Sequence, residues 1–348
     1  MNMSKPSVLM VVSKYPPDFG HNTVINNLCK CLNELGYRVA IGAFSFESDP
    51  PNNIKKITLN KTKLLTLGVK HLNFDIIHSH QPRVNYYLLF RKSNKPIVMH
   101  VHGASSKIHE INFKLSMLFF KNRIQKTIAV SHSNSEKITN LVGKIPIEII
   151  YNGVNTELYI PDLPKDYKKG SPQLLFVSGL RKYKNTNILI SIMPKLIQIF
   201  PDIHLQIIGN GNEYENLKNL ILEKKLETKV ELVGKITDEK ELRKYYSSCD
   251  LYISASSLEA CPVSPFEAMS CGKPLVLYGI NPHKEIIDAS SAGLIFDSLN
   301  EDEICKKIHD VYENRMNYGK NGRNFALKHS WLNVSKKLID VYEEITKN

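Results

Sequence analysis

The chain has 348 residues, of which 42% are apolar, and this length and composition allow a large buried core divided between two domains. Its apolar runs are shorter than the roughly 18 residues that cross a bilayer, and residues 8–12 are too short a run for a signal peptide. Six cysteines without regular spacing indicate reduced thiols rather than a disulfide framework. These features predict a cytoplasmic protein.

The positive charge is concentrated in the first half of the chain. Residues 1–160 contain 20 Lys and Arg against 9 Asp and Glu, whereas residues 161–348 contain 26 against 25. The first half is therefore expected to meet an anionic partner, such as a membrane surface or a phosphate-bearing acceptor. Nucleic acid is disfavoured, because the chain carries no recognised nucleic-acid motif. The alternative is a basic surface that is only solvated.

The first segment predicts a parallel β–α–β unit. The continuous apolar run over residues 7–12 is typical of a strand buried on both faces. A turn-rich loop reaches Gly20, helical spacing follows over residues 24–35, and residues 37–44 predict the next strand. Because such a loop lets a phosphate or sugar approach the backbone, Gly20 is a candidate binding residue.

Two predicted strands each end in a His-x-His pair, His78 with His80 and His100 with His102. Residues two apart in a strand share a face, so each pair could chelate a metal, and a metal hydrolase is one alternative. No acidic ligand set accompanies the pairs, which favours histidines at strand ends in a cleft. His102, followed by a glycine, is the one expected to contact a substrate.

Residues 108–124 predict a basic helix with an apolar side. A helix at a membrane surface has this pattern, and so does a helix packed on a core, which we favour. Asn152-Gly153 then predicts a turn. The stretch 161–172, rich in Pro, Lys and Asp, predicts a linker.

The second half of the chain again alternates strands and helices. Predicted strands over residues 174–177, 204–208 and 229–233 end in loops that contain glycine, which is typical of a doubly wound sheet. Gly209-x-Gly211 lacks the rest of a dinucleotide fingerprint, and the chain has no G-x4-G-K-[ST] loop. A nicotinamide dehydrogenase and a phosphate-loop ATPase are therefore disfavoured.

The stretch 250–278 predicts a strand, a polar loop, a short helix and a second strand, with Glu259 in the loop and Glu267 in the helix. Where a strand leads through a loop into a helix, the free N–H groups of that helix can face a ligand. The run Ser264-Pro265-Phe266-Glu267 also predicts a capping box with Ser264 as the N-cap. The pattern leaves open whether Glu267 caps the helix or binds a ligand.

With these motifs in this order, the chain resembles a family 4 retaining glycosyltransferase of the GT-B architecture. The segments that carry the resemblance span nearly the whole chain: HVHG, IIYNGVNTELY, LQIIGNGNE, SLEACPVSPFEAMSCGKP and GLIFD. It implies an α/β fold of two Rossmann-like doubly wound domains that face across a cleft. The implied division is an acceptor-binding domain over residues 1–165, a nucleotide-sugar-binding domain over residues 166–330, and a C-terminal helix over residues 331–348 that packs back on the first domain.

In that family the donor is a nucleoside-diphosphate sugar, and neither a metal nor another cofactor is needed. By correspondence of motifs, Glu259 is expected to contact the donor sugar and Glu267 the ribose hydroxyls. His102 matches the histidine that faces the reacting sugar. The resemblance also implies that the backbone N–H groups of Val263 and Ser264 and the side chain of Lys184 bind the diphosphate, with Gly20 nearby. Gly234 and Lys235 are expected to contact the base.

Three departures from the family pattern stand out. The usual glycine pair of the N-terminal loop is Gly20-His21 here, and the usual phosphate-binding arginine falls on Gly179. Arg181 is close enough in sequence to replace that arginine. Pro262, in the loop after Glu259, removes one backbone donor, so the sugar pocket is expected to be atypical.

The resemblance implies a metal-independent transferase that moves a sugar to a lipid-linked or polysaccharide acceptor, as in the biosynthesis of lipopolysaccharide and other cell-surface glycans. The basic N-terminal half would dock on an anionic membrane, which places the protein on the inner face of the cytoplasmic membrane. Two alternatives keep the fold: a sugar-nucleotide-binding subunit with weakened catalysis, and a sugar-nucleotide epimerase that needs no acceptor.

Overall fold

The structure, a computed structural model, describes residues 5–17, 20–51, 54–93, 95–103, 107–161 and 166–347. It divides the chain into two compact units, Met1–Asn152 with Trp331–Asn348, and Gly153–Ser330. We call them the N-terminal unit and the C-terminal unit. The division falls at the Asn152-Gly153 turn, earlier than the expected boundary at residue 165. Residues 162–165 of the predicted linker lie outside the described part of the chain.

The N-terminal unit is built on a seven-stranded parallel sheet whose central strands are buried on both faces. In spatial order the strands are Lys55–Thr58, Val39–Ala43, Val8–Val11, Ile76–Ser79, Ile97–Val101, Lys126–Ala129 and Ile147–Ile149. The α-helices are His21–Glu34, Lys61–Leu67, Pro82–Leu88, Lys107–Phe120, His132–Val142 and Trp331–Lys347. The predicted helix over residues 108–124 thus ends at Phe120, and a 3-10 turn, Lys121–Arg123, follows.

The helix Trp331–Lys347 belongs to the N-terminal unit although it follows the whole C-terminal unit in sequence. It packs against the helix His21–Glu34. Its Tyr342 is fully buried, and the hydroxyl lies 2.5 Å from Nδ1 of His78. The C-terminal segment is therefore part of the core of the first unit.

The C-terminal unit contains a six-stranded parallel sheet. Its strands, in spatial order, are Val230–Gly234, His204–Ile208, Gln173–Val177, Leu251–Ser254, Leu275–Tyr278 and Gly293–Phe296. Its α-helices are Thr186–Ser191, Met193–Ile199, Tyr214–Glu223, Glu239–Ser248, Val263–Ser270, Asn281–Ser290, Glu301–Glu313 and Arg315–Lys328. The helices Thr186–Ser191 and Met193–Ile199 are divided at Ile192, two residues before Pro194.

Both sheets reverse their strand order at one place, as a doubly wound sheet does. In the N-terminal unit this is between Val8–Val11 and Ile76–Ser79, and in the C-terminal unit between Gln173–Val177 and Leu251–Ser254. Loops that leave the carboxyl ends of these strand pairs diverge, and the space between them is where open α/β sheets bind ligands.

The helix Arg315–Lys328 is absent from the sequence-based prediction. It contains Gly319 and Gly322, which lower helix propensity. Both glycines are buried where this helix packs on the helix Val263–Ser270. A Cβ at Gly319 would overlap the carbonyl oxygen of Gly272, and one at Gly322 would lie 3.0 Å from Cγ of Met269. The glycines therefore serve close packing, which a pattern of propensities does not reveal.

Among the described residues, no helix combines the length and hydropathy needed to cross a membrane.

We expect Gly319→Ala to destabilise the protein by about 1–3 kcal/mol, because the added methyl group meets a backbone carbonyl in a packed core. Urea unfolding measures the change in free energy. Lys320→Ala, at the exposed neighbouring position, is the matched control. Equal stability of Gly319→Ala and the control would contradict the proposed packing.

Candidate functional site

A glycine turn shapes the loop that follows the strand Gln173–Val177. Gly209 has a φ of +145°, and a Cβ there would overlap the carbonyl oxygen of Ser178. A Cβ at Gly211 would overlap the carbonyl oxygen of Leu180, whose N–H donates to the carbonyl oxygen of Asn210 at 3.0 Å. The turn thus has to be glycine-rich, and it fixes the start of the loop that leads to Lys184.

Three hydrogen bonds join this loop to the one that follows the strand Leu251–Ser254. Nδ2 of Asn185 donates to the carbonyl oxygen of Ala255 at 3.0 Å. The backbone N–H and the hydroxyl of Ser257 donate to the carbonyl oxygen of Tyr183 at 2.9 and 3.0 Å. These bonds therefore hold the two loops at the reversal of strand order in contact with each other.

Within this frame Lys184 and Glu259 form an ion pair. Nζ of Lys184 lies 2.5 Å from Oε1 of Glu259, and the two side chains are only 12% and 13% exposed. A pair so shielded from water is electrostatically much stronger than one on the surface. The structure thus brings together two of the residues singled out in the sequence, one from each loop.

The helix Val263–Ser270 begins two residues earlier than a capping box at Ser264 requires. Its N-cap is Pro262, and no side chain among the described residues caps it. The predicted N-cap role of Ser264 is therefore wrong, and Glu267 lies in the second turn rather than at the third helical position. Because Pro262 and Pro265 lack an N–H, Val263 and Ser264 supply the two free donors of this end. Both are partly exposed, and the helix dipole favours an anion beside them.

Glu267 is buried beneath this helix end. Its Oε2 accepts a hydrogen bond of 2.7 Å from the hydroxyl of Tyr246, which is itself fully buried. Burial raises the pKa of Glu267 to about 7, and the hydrogen bond from Tyr246 opposes that rise. The interpretation of Glu267 as a helix cap is wrong, while its contact with a ribose stays a prediction.

Arg181 lies where a side chain at position 179 would point. A Cβ built on Gly179 would be 4.0 Å from Nε of Arg181. Position 179 has no arginine of its own, but the guanidinium group of Arg181 lies close to it. This agrees with Arg181 as its replacement, which remains a prediction.

Gly234 ends the neighbouring strand in a conformation that requires glycine. Its φ is +88°, and its carbonyl oxygen accepts a hydrogen bond of 2.8 Å from the N–H of Gly209. This bond ties Gly234 to the glycine turn described above. The side chain of Lys235 is exposed. The expected contact of Gly234 and Lys235 with a base is a prediction.

In the N-terminal unit, Gly20 is the N-cap of the helix His21–Glu34. Its φ of −67° is open to any residue, and a Cβ there would have no neighbour within 4 Å among the described residues. The backbone therefore does not demand glycine here, and the expected place of Gly20 near the phosphate is a prediction. The next residue, His21, places its ring 4.7 Å from that of His102.

His102 belongs to a cluster of neutral histidines at the carboxyl ends of two strands. Its Nε2 lies 2.9 Å from Nδ1 of His80, and its ring stacks on that of His100 at 4.2 Å. Burial, followed by the neighbouring His100, holds the pKa of His102 well below its usual range. His102 is therefore a neutral hydrogen-bonding group at neutral pH rather than a cation.

The ring nitrogens of His78, His80 and His100 lie within 4.8 Å of one another, close enough to raise the question of a metal site. The rings of His80 and His100 both stack on His78, however, with interplanar angles of 17° and 14°, and are tilted by 31° to each other. Ring lone pairs lie in the ring plane, so stacked rings do not aim them at one point. A tetrahedral site would need the rings to rotate, and the arrangement is that of a packed stack.

Three side chains of the C-terminal unit were not singled out in the sequence. Tyr246 donates to Glu267. Tyr252 has its pKa raised by burial and by the charge of Glu259. His283 is fully buried, and its Nδ1 lies 2.8 Å from the carbonyl oxygen of Tyr278. Burial lowers the pKa of His283, and the charge of Glu259 opposes that change. These residues come from separate elements, and no spacing in the sequence links them to Glu259 or Glu267.

Known proteins resemble this chain over nearly its full length. An uncharacterized glycosyltransferase of Methanocaldococcus jannaschii is 26% identical over 97% of this chain and 98% of its own. The N,N'-diacetylbacillosaminyl-diphospho-undecaprenol alpha-1,3-N-acetylgalactosaminyltransferase of Campylobacter jejuni is 26% identical over 91% of this chain and 88% of its own. The crystal structure of HepE from Anabaena with UDP and glucose aligns with a TM-score of 0.81 at 16% identity, covering 97% of this chain and 99% of that one.

These relatives and the two Rossmann-like sheets define a glycosyltransferase with the GT-B fold. Two family profiles then match the chain in succession. Glycosyltransferase Family 4 matches residues 20–158, and Glycosyl transferases group 1 matches residues 162–325. The chain belongs to the family 4 glycosyltransferases.

The raised pKa of Glu267 makes stability depend on pH. Between its usual value of 4.5 and its native value of about 7, the native state binds the extra proton. The free energy of unfolding therefore falls as pH rises through this window. From about pH 4 to about pH 8, we expect the wild type to lose roughly 3 kcal/mol relative to Glu267→Gln.

Urea unfolding of both proteins across this range checks the prediction. Glu215→Gln, which removes an exposed helical carboxylate, is the control and should follow the wild type. A Glu267→Gln profile parallel to that of the wild type would show that this carboxyl is not the one that titrates near neutrality.

Proposed function

We propose that this glycosyltransferase transfers a sugar from a nucleoside-diphosphate donor to a lipid-linked or polysaccharide acceptor, with retention of anomeric configuration and without a metal ion. The observation that carries the proposal is the Lys184–Glu259 pair, whose glutamate lies in the loop that leads to the helix with the N–H donors of Val263 and Ser264. A cation and a helix N-terminus together suit a diphosphate.

The chemistry explains why these groups are needed. Breaking the bond between the anomeric carbon and the diphosphate oxygen develops negative charge on the leaving diphosphate. Preorganised donors aimed at such charge lower the barrier, and removal of one costs about 3 kcal/mol. In this proposal Lys184 and the N–H groups of Val263 and Ser264 supply the stabilisation, with Arg181 as a further cation.

Glu259 has two tasks in this proposal. Its carboxylate holds Nζ of Lys184 at the reversal of strand order, and its remaining acceptor capacity serves the hydroxyls of the donor sugar. His102, neutral and oriented by His80, contacts the reacting sugar. Glu267 accepts from the ribose, Gly234 and Lys235 contact the base, and Gly20 leaves room for the phosphate.

The nature of the acceptor rests on the relatives and on charge. The Campylobacter jejuni relative is named for a diphospho-undecaprenol acceptor. The basic half of this chain suits an acceptor that carries phosphate at an anionic surface. We infer that the reaction belongs to cell-surface glycan biosynthesis at the inner face of the cytoplasmic membrane. HepE binds UDP and glucose, so UDP-sugars are the first donors to test.

Lys184→Ala should lower kcat by about 100-fold or more, because the leaving diphosphate loses its buried cation. Lys182→Ala removes an exposed lysine from the same turn and should stay within about twofold of the wild type. Donor turnover with a lipid-linked acceptor analogue measures both. If the two variants turn over alike, Lys184 has no special role. A wild type without turnover on any donor would favour the weakened binding subunit.

Transfer should be unaffected by a chelator, because protein donors supply the stabilisation that a metal would otherwise give. The measurement is the rate before and after dialysis against EDTA, with the anomeric configuration of the product read by NMR. A loss that added divalent ions restore would reject the metal-free mechanism. An inverted product would reject retention.

A further inference from the structure

The helix Lys107–Phe120 carries apolar side chains on two opposite faces. Phe113 and Met117 are 4% and 1% exposed and belong to the core of the N-terminal unit. A second set forms what we call the apolar stripe: Ile111, Leu115, Leu118 and Phe119, exposed by 58%, 42%, 68% and 67%. The first face accounts for the packing of the helix, so the stripe has no part in the core.

The stripe is contiguous. At 100° per residue, its members fall within a sector of about 100°, and the core-facing side chains lie on the opposite side of the helix. Scattered apolar residues are normal on a protein surface, but a continuous row of four large ones marks an interaction site. The sequence alone favoured core packing for the side of the helix that carries these four residues. That prediction is wrong, because the core takes Phe113 and Met117 from the opposite face.

Positive charge flanks the stripe on its own helix. Lys114 and Lys121 are exposed on the same helix and just after it. Arg123 donates to the carbonyl oxygen of Phe90 at 2.8 Å, which places a half-exposed phenyl ring beside the end of the helix. Residues 83–126 contain nine Lys or Arg and a single acidic residue, Glu110.

This charge decides between the possible occupants. Two copies of the chain that met through the stripe would bring two basic surfaces together, and like charges across an interface are unfavourable. A surface of anionic lipid offers the opposite charge to the lysines and an apolar layer to the stripe. The pattern is that of a helix lying in a membrane interface while its other face stays in the protein.

We propose that the apolar stripe, with Lys114 and Lys121, docks the N-terminal unit on an anionic lipid surface. The proposal rests on the proposed function in one respect, since a lipid-linked acceptor presents its reacting group at such a surface. The proposal goes further than the basic charge of the N-terminal half, because it identifies the side chains that contact the lipid.

The test is binding of the full chain to vesicles of phosphatidylcholine with and without phosphatidylglycerol, measured by co-sedimentation. Wild type should bind the anionic vesicles, and binding should weaken by about tenfold or more when salt screens the lysines. Leu118→Ser with Phe119→Ser should weaken binding by at least about tenfold. The control pair, Leu222→Ser with Met316→Ser, removes comparable exposed apolar side chains from the C-terminal unit and should bind like the wild type.

Two results would overturn the proposal. One is equal vesicle binding by the stripe variant and the wild type. The other is a concentration-dependent dimer, seen by analytical ultracentrifugation, that the stripe variant abolishes while vesicle binding persists, since the stripe would then join two copies.

Transfer to a water-soluble, short-chain acceptor separates this proposal from the proposed function. The stripe variant should keep that transfer and lose transfer to acceptor embedded in vesicles. A wild type that docks through the stripe yet transfers sugar to neither acceptor would contradict the proposed function and leave the docking surface standing.

Discussion

The candidate site of the C-terminal unit depends on contact between two loops that are distant in sequence. Lys184 and Glu259 meet because the strands that precede them are neighbours at the reversal of strand order. Hydrogen bonds from Asn185 and Ser257 then lock the loops together. A lysine with four rotatable bonds would lose much of its freedom on binding an anion. Here its carboxylate partner already restricts the side chain, so the diphosphate contact that we propose for Lys184 would cost less of this freedom.

Strands were the most predictable part of this fold. The strand His204–Ile208 has the bounds that its sequence predicts, and the strands Gln173–Val177 and Val230–Gly234 lie within one residue of theirs, since short apolar runs flanked by glycine or turn residues leave little choice. Helix ends were harder. Pro265 suits the first helical position, and it fits equally in the third, because neither position needs its N–H. The helix Arg315–Lys328 was not predicted, because its glycines lower helix propensity and are explained only by the close packing of neighbouring residues against them.

The motifs predicted which residues lie at the site, but they did not predict the contacts between the side chains. The order of motifs correctly placed Lys184 and Glu259 in loops of one unit, but their ion pair depends on side-chain directions that no periodicity supplies. The alternation along strands likewise predicted that His78 and His80 share a face. It could not predict that their rings stack, and stacking is what separates a packed cluster from a set of metal ligands. Tyr246 and His283 reach the site from separate helices, so burial alone identifies them.

The helix Trp331–Lys347 is part of the N-terminal unit, but it follows the whole C-terminal unit in sequence. Its Tyr342 contacts His78 across a sequence separation of 264 residues, so this contact forms only after the C-terminal unit has been synthesised. During synthesis the C-terminal unit, a continuous stretch, can fold while the N-terminal unit still lacks this helix. The unit that is made first is therefore the last to be completed, and His78 lacks its Tyr342 partner until then.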